Sequence, residues 1–171
     1  TVEFDGNGAT GGSTGPSSHT YGLASRLTAN GFVRAGHRFA GWSTTRNGEV
    51  AYGNAMLVKN LTEANDGVVT LYAVWQANTY TVEFDGNGGS GGQSDAVTAT
   101  YEAAMPAISV EPPARSGYDF MGWYDSEGIQ YYTAAGTSAR IWDKAFNTTL
   151  YASWKAASYT ISYDVAGGEL I

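Results

Sequence analysis

Leu71-Tyr72-Ala73-Val74-Trp75-Gln76-Ala77-Asn78-Thr79-Tyr80-Thr81-Val82-Glu83-Phe84-Asp85-Gly86-Asn87-Gly88 decides how this chain is read. It holds the last strand of one module, almost no linker, and the first strand of a second copy. TVEFDGNG stands at Thr1 and again at Thr81, and LYAVW at Leu71 answers LYASW at Leu150. RAGHRFAGW from Arg34 likewise returns as RSGYDFMGW from Arg115. The three offsets are 80, 79 and 81 residues. Self-similarity at so fixed a period is the signature of a repeat architecture. The expected division is a first module over 1–77, a second over 78–157, and the first strand of a truncated third over 158–171. The third rests on Tyr159-Thr160-Ile161-Ser162-Tyr163-Asp164, after which no GW or LYA anchor follows. The chain therefore reads as a piece of a longer array.

Within the pattern, Tyr80, Val82 and Phe84 alternate with Thr79, Thr81 and Glu83, a period of two with one apolar face. Asp-Gly-Asn-Gly then ends the strand with residues that accept positive φ. The Gly- and Ser-rich stretches 8–18 and 88–94 read as loops, each followed by a short strand ending at Tyr21 or Tyr101. Over 22–30, Leu23 and Leu27 stand four apart and Asn30-Gly31 supplies a stop, which predicts one short helix. Pro106, Pro112 and Pro113 limit its equivalent in the second copy to a turn or two.

Next comes the anchor strand around Phe39, Gly41 and Trp42, or Phe120, Gly122 and Trp123. Glycine inside a strand marks a bulge or a close approach, so Gly41 and Gly122 are expected to seat a neighbouring aromatic ring. Hairpin turns at 46–49 and 125–128 lead to short strands near Tyr52 and Tyr131, and Leu71-Tyr72 or Leu150-Tyr151 begin the closing strand. The expected fold class is α+β: tandem small β-grasp-like (ubiquitin-like) repeats, mostly strand with one short helix each.

Composition narrows function more than it names it. A net charge of −7, with 9 Lys and Arg scattered singly, excludes a nucleic-acid backbone binder. The absence of cysteine removes disulfides and thiolate metal sites together. A module of this size buries only about 60–65% of its unfolded surface. Reinforcement comes from 5 Trp, 12 Tyr and 6 Phe, each able to bury roughly 150–250 Å2. Trp42 pairs with Trp123, and Trp75 with Trp154, so these are core positions.

These residues resemble the Listeria–Bacteroides repeat, the family of the B repeats of internalin-type surface proteins. Its pattern runs from a strand ending F-D-x-N-G-G, through G-Y-x-F-x-G-W-Y, to T-L-Y-A-x-W. The second module matches at Phe84–Gly89, Gly117–Tyr124 and Thr149–Trp154. The first departs only at Ala9, His37 and Ser43. The signature positions are Phe4, Phe39, Gly41, Trp42, Leu71, Tyr72 and Trp75, then Phe84, Phe120, Gly122, Trp123, Leu150, Tyr151 and Trp154. The resemblance implies β-grasp-like modules on an exported bacterial surface protein, with stalk, adhesion and partner-binding roles and no catalysis.

The chemistry-bearing residues give weak signals. Asp-Gly-Asn-Gly lacks the further oxygen ligands and late glutamate of a helix–loop–helix calcium site, so it reads as a turn. His19 and His37 have no counterparts in the second module and read as surface or rim residues. Ser13, Ser17 and Ser18 lack the strand–turn–helix setting of a nucleophile. Lys59, Lys144 and Lys155 occupy no matched positions for a Lys–Asn crosslink, and the sequons at Asn60 and Asn147 carry no weight in bacterial export. No catalytic, metal-binding or cofactor-binding residues are assigned, and no cofactor is expected.

The leading reading is a non-catalytic, semi-rigid stalk or spacer with an adhesive role, contacting neighbouring repeats of its own chain and inserting into no membrane. The alternative is a module that binds a host or neighbouring-cell protein or a glycan, through a sheet edge or loop aromatics. Tyr131, Tyr132 and Trp142 are the candidate contacts for it. Because adjacent strand residues face opposite ways, only one of Tyr131 and Tyr132 is expected in the core.

Overall fold

A computed structural model describes residues 1–109 and 111–163. Twelve strands and no helix are present among them. The chain forms two compact units. Unit 1 holds Thr1–Thr81, Thr98–Ala104 and Ile141–Asn147, and unit 2 holds Val82–Val97, Met105–Arg140 and the residues from Thr148 onward.

In unit 1 the main sheet has three strands in the order β1 (Val2–Asp5), β7 (Val69–Ala77), β5 (His37–Ser43). The opening strand β1 runs parallel to the closing strand β7, pairing Val2 with Val69 and Phe4 with Leu71. β5 runs antiparallel to β7 on its other side. Alternation along β7 sends Leu71 and Ala73 inwards, where both are fully buried with Trp42 and Val2. Phe4 and Phe39 flank the Trp42 ring at centroid distances of 4.6 and 4.8 Å. Two-residue ladders, β2 (Gly11–Gly12) with β4 (Phe32–Val33) and β3 (Ser25–Arg26) with β6 (Leu57–Val58), complete this repeat.

The second repeat uses the same plan in a five-stranded sheet. Its order is β11 (Gln130–Thr133), β10 (Tyr118–Tyr124), β12 (Thr148–Ala156), β8 (Thr79–Asp85), β9 (Val97–Thr100). Again the opening strand β8 lies parallel to the closing strand β12, and β10 antiparallel. Trp123 takes the place of Trp42, with the Phe84 and Phe120 rings at 5.0 and 5.5 Å. Asp125 sets the β10–β11 hairpin, its Oδ1 accepting the N–H groups of Glu127 and Ile129.

Two expectations are corrected. The fold is all-strand, so α+β with a helix in each repeat does not hold, and the helix-crossed sheet of a β-grasp is missing among the described residues. Over 22–30 a turn and a two-residue strand stand instead. Thr20–Leu23 is a turn, Gly22 sits at φ +83°, and Ser25 and Arg26 pair with Val58 and Leu57. Leu27 is 2% exposed while Leu23 is 63% exposed, so the two leucines share no buried face. An isolated helix of nine residues is marginal in water, and β6 satisfies these backbone groups with interstrand bonds.

Second, Gly41 and Gly122 seat no ring. Both lie at bulges, at φ +154° and +122°, where the register with the closing strand shifts. A Cβ at Gly122 would overlap the Tyr132 carbonyl oxygen, and one at Gly41 would overlap Val50 and crowd the Tyr52 carbonyl.

The expected third module, over 158–171, falls partly outside the described residues, and its described part, 158–163, carries no strand pairing. In both repeats the opening strand pairs with a closing strand about seventy residues later. Asp164, the last residue of that expected strand, lies outside the described residues.

Candidate functional site

The most elaborated polar constellation recurs in both repeats and joins the Asp-Gly-Asn-Gly turn to the closing strand. In the first, Asp5 Oδ1 accepts the Asn7 N–H at 2.8 Å, which holds Asn7 at φ +44°. The Asn7 amide then donates to the carbonyl oxygens of Ala73 (2.9 Å) and Arg46 (2.7 Å). The Trp75 indole N–H donates to Gly6 O at 2.9 Å, and Arg46 pairs with Asp5 Oδ2 at 2.6 Å.

The second copy repeats the clamp. Asn87 sits at φ +47°, its N–H bonded to Asp85 and its amide to Ala152 O at 3.0 Å, while the Trp154 indole reaches Gly86 O at 3.1 Å. Asn suits this position because it tolerates the left-handed conformation and can bond locally. The sequence reading saw the turn and missed the clamp. Its signal was present: Asn7 with Asn87 and Trp75 with Trp154 recur in step. The arrangement can fasten the end of the opening strand to the closing strand. It brings no acid, base and nucleophile together.

Other singled-out residues are placed as follows. Tyr131, Tyr132 and Trp142 are at most 1% exposed, so both tyrosines are buried where one was expected to face outwards. The Tyr132 hydroxyl donates to Pro106 O at 2.8 Å, and burial pushes its pKa well above the usual phenol value. The Arg140 guanidinium lies 5.2 Å from the Tyr131 ring centre, which covers the other face. Among the signature residues, Trp42, Leu71, Trp123 and Leu150 are buried. Phe4, Phe39, Tyr72, Trp75, Phe84, Phe120 and Trp154 are half-buried and Tyr151 is exposed.

Among the described residues neither histidine meets a converging acid, base and nucleophile. His19 Nε2 is 2.9 Å from Ser17 Oγ. His37, with its side chain 7% exposed, contacts Ala35 O through Nδ1, and its Nε2 is 3.6 Å from Glu102. Among the described residues there is no group of three or more His, Asp or Glu side chains that could hold a metal ion.

A tandem all-strand repeat, each copy clamped by its own Asp-Gly-Asn-Gly turn and tryptophan, is the class of protein these features define. The chain belongs to the Listeria–Bacteroides repeat family, whose model matches residues 1–74 and 80–153. It is 33% identical over 99% of its length to a protein of Evansella cellulosilytica described as a Gly-rich membrane protein, covering 19% of that protein. A second protein of the same organism, described as a membrane protein, is 34% identical over 80% of this chain and 18% of its own length. Internalin H of Listeria monocytogenes is 32% identical over 71% of this chain and 20% of its own. The chain thus spans about a fifth of the curated relatives it matches. It is a repeat region of the kind carried by proteins of that description.

Proposed function

We propose that this chain is a non-catalytic, semi-rigid spacer segment of a bacterial envelope protein, holding other parts of that protein away from the cell. One observation carries the reading. Between β7, ending at Ala77, and β8, beginning at Thr79, a single residue intervenes. That residue, Asn78, has both backbone groups engaged: its N–H donates to Gly36 O (2.8 Å) and its carbonyl accepts the Tyr101 N–H (3.0 Å). A linker so short and so bonded has none of the freedom of a Gly/Ser coil. The names of the relatives support an envelope location. The spending of the recurrent polar side chains on backbone carbonyls supports a role without chemistry.

Small-angle scattering on the 171-residue chain tests this. A single narrow distribution of dimensions is expected; a spread as broad as two beads on a string would overturn the spacer. Tyr131, Tyr132 and Trp142, the contacts named for the binding alternative, are buried, which favours the spacer reading.

A further inference from the structure

The turn that carries Tyr101 has a twin. Leu23 N–H closes on Thr20 O and Ala103 N–H on Thr100 O, each at 3.1 Å. The third residue of each turn is left-handed, Gly22 at φ +83° and Glu102 at φ +60°. Tyr21 and Tyr101 therefore hold the same place in the same turn. Their surroundings differ. Within unit 1 the Tyr101 ring covers Gly36, where a Cβ would overlap it, and meets the His37 ring edge-on at 5.5 Å. The neighbouring Glu102 carboxylate lies 3.4 Å from Arg34 and 3.6 Å from His37. Tyr21, by contrast, is 66% exposed, as is its neighbour Leu23 at 63%.

The surface that receives Tyr101 has a twin as well. His37 N–H closes on Arg34 O and Tyr118 N–H on Arg115 O, both at 3.1 Å. Gly36 and Gly117 are left-handed at φ +68° and +77°. Gly36 O accepts from Asn78 and Gly117 O from Ala157. Yet where Gly36 lies beneath Tyr101, nothing approaches the Cβ position of Gly117, and Tyr118 is 40% exposed. The chain thus contains one filled ring-on-glycine contact, one unused tyrosine turn and one unused glycine turn.

We propose that the Thr20–Leu23 turn is a docking surface for another repeat of this family joined ahead of Thr1, with the Tyr21 ring seated on that repeat's Arg-x-Gly-aromatic turn. The inference rests on the spacer reading and names the device that would make the array stiff. Glycine is required on the receiving side because only a missing Cβ lets the ring lie against the backbone. Beside Tyr21 a polar cleft of about 800 Å3, lined by Ser18, His19, Asn60, Thr62 and Asp66 among others, leaves room for the incoming turn. The corresponding stretches of the second repeat, Thr98–Ala104 and Ile141–Asn147, already belong to unit 1. In the first repeat Gly22 replaces Glu102, so the tyrosine carries this contact without an ion pair.

The test is a three-repeat chain in which a copy of residues 1–80 precedes Thr1, so that Ala77-Asn78-Thr79-Tyr80 leads into Thr1 as it does into Thr81. Hydrogen exchange at the Tyr21 amide is compared with that in the 171-residue chain. About tenfold slower exchange or more is expected in the extended chain, since the amide would then bond to a linker carbonyl as Tyr101 does. Tyr21→Ala should lower the melting temperature of the extended chain by a few degrees and leave the 171-residue chain unchanged. Equal exchange rates in the two chains, or a Tyr21→Ala effect of the same size in both, would overturn the docking. If scattering from the 171-residue chain is narrow all the same, docking alone has failed; if it is broad, the spacer reading has failed first.

Discussion

A single asparagine in each repeat carries more than its side chain's size implies. Asn87 occupies φ +47° and bonds the closing strand through its amide. Alanine there loses a hydrogen bond worth about 1 kcal/mol and gains about 1–2 kcal/mol of left-handed strain. Asn87→Ala should therefore cost about 2–3 kcal/mol in urea unfolding, and Asn87→Gly noticeably less. Equal costs for the two variants would show that the left-handed backbone is not what Asn supplies. Tyr132 makes the second residue-scale prediction. Burial raises its phenol pKa in the folded state, so its stabilisation is intact below the unfolded value of about 10 and is lost as pH rises above it. Tyr132→Phe should shift the alkaline unfolding midpoint upwards, while costing about 1 kcal/mol at neutral pH for the lost bond to Pro106. An unchanged alkaline midpoint would place the titration elsewhere.

At the scale of elements, the opening, anchor and closing strands were legible because a period of two leaves little room for another reading. Val82 and Phe84, or Leu71 and Ala73, announce their buried face directly. The segment 22–30 was not legible, for a specific reason. A spacing of four between Leu23 and Leu27 fits both the 3.6-residue helix and the two-residue strand, so the pattern could not choose. The turn at Thr20–Leu23 then takes Leu23 out of either face. The burial of Tyr131 and Tyr132 together was hidden for a related reason: strand geometry says they point apart, but not that each side will be covered. Covering comes from distant segments, Pro106 for one ring and Arg140 for the other. The clamp escaped because its two halves, Asn7 and Trp75, stand on different elements. The turn-and-strand reading of 22–30 has a direct check. Leu27→Ala should cost about 2–4 kcal/mol and Leu23→Ala less than about 0.5 kcal/mol, measured by thermal or urea unfolding. Equal, large costs would restore a shared buried face.

For the whole molecule the decisive quantity is the freedom left in the backbone at Asn78. Its two main-chain bonds lie within unit 1, and the residues on either side are already in strands. If the spacer proposal is right, stiffness resides in these few atoms and in the Tyr101 turn that bonds them and seats its ring on Gly36. Inserting Gly-Ser-Gly-Ser between Ala77 and Asn78 would then abolish it without unfolding either repeat, because added loop length costs little stability on its own, well under about 1 kcal/mol for each doubling. Amide 15N relaxation reads the outcome. In the parent chain the strands of both repeats should report one rotational correlation time. In the insertion variant they should report two shorter ones, while the chemical shifts of Trp42 and Trp123 stay put. Two separate correlation times already present in the parent would mean that the short linker acts as a hinge, and a repeat joined by hinges transmits no direction along an array.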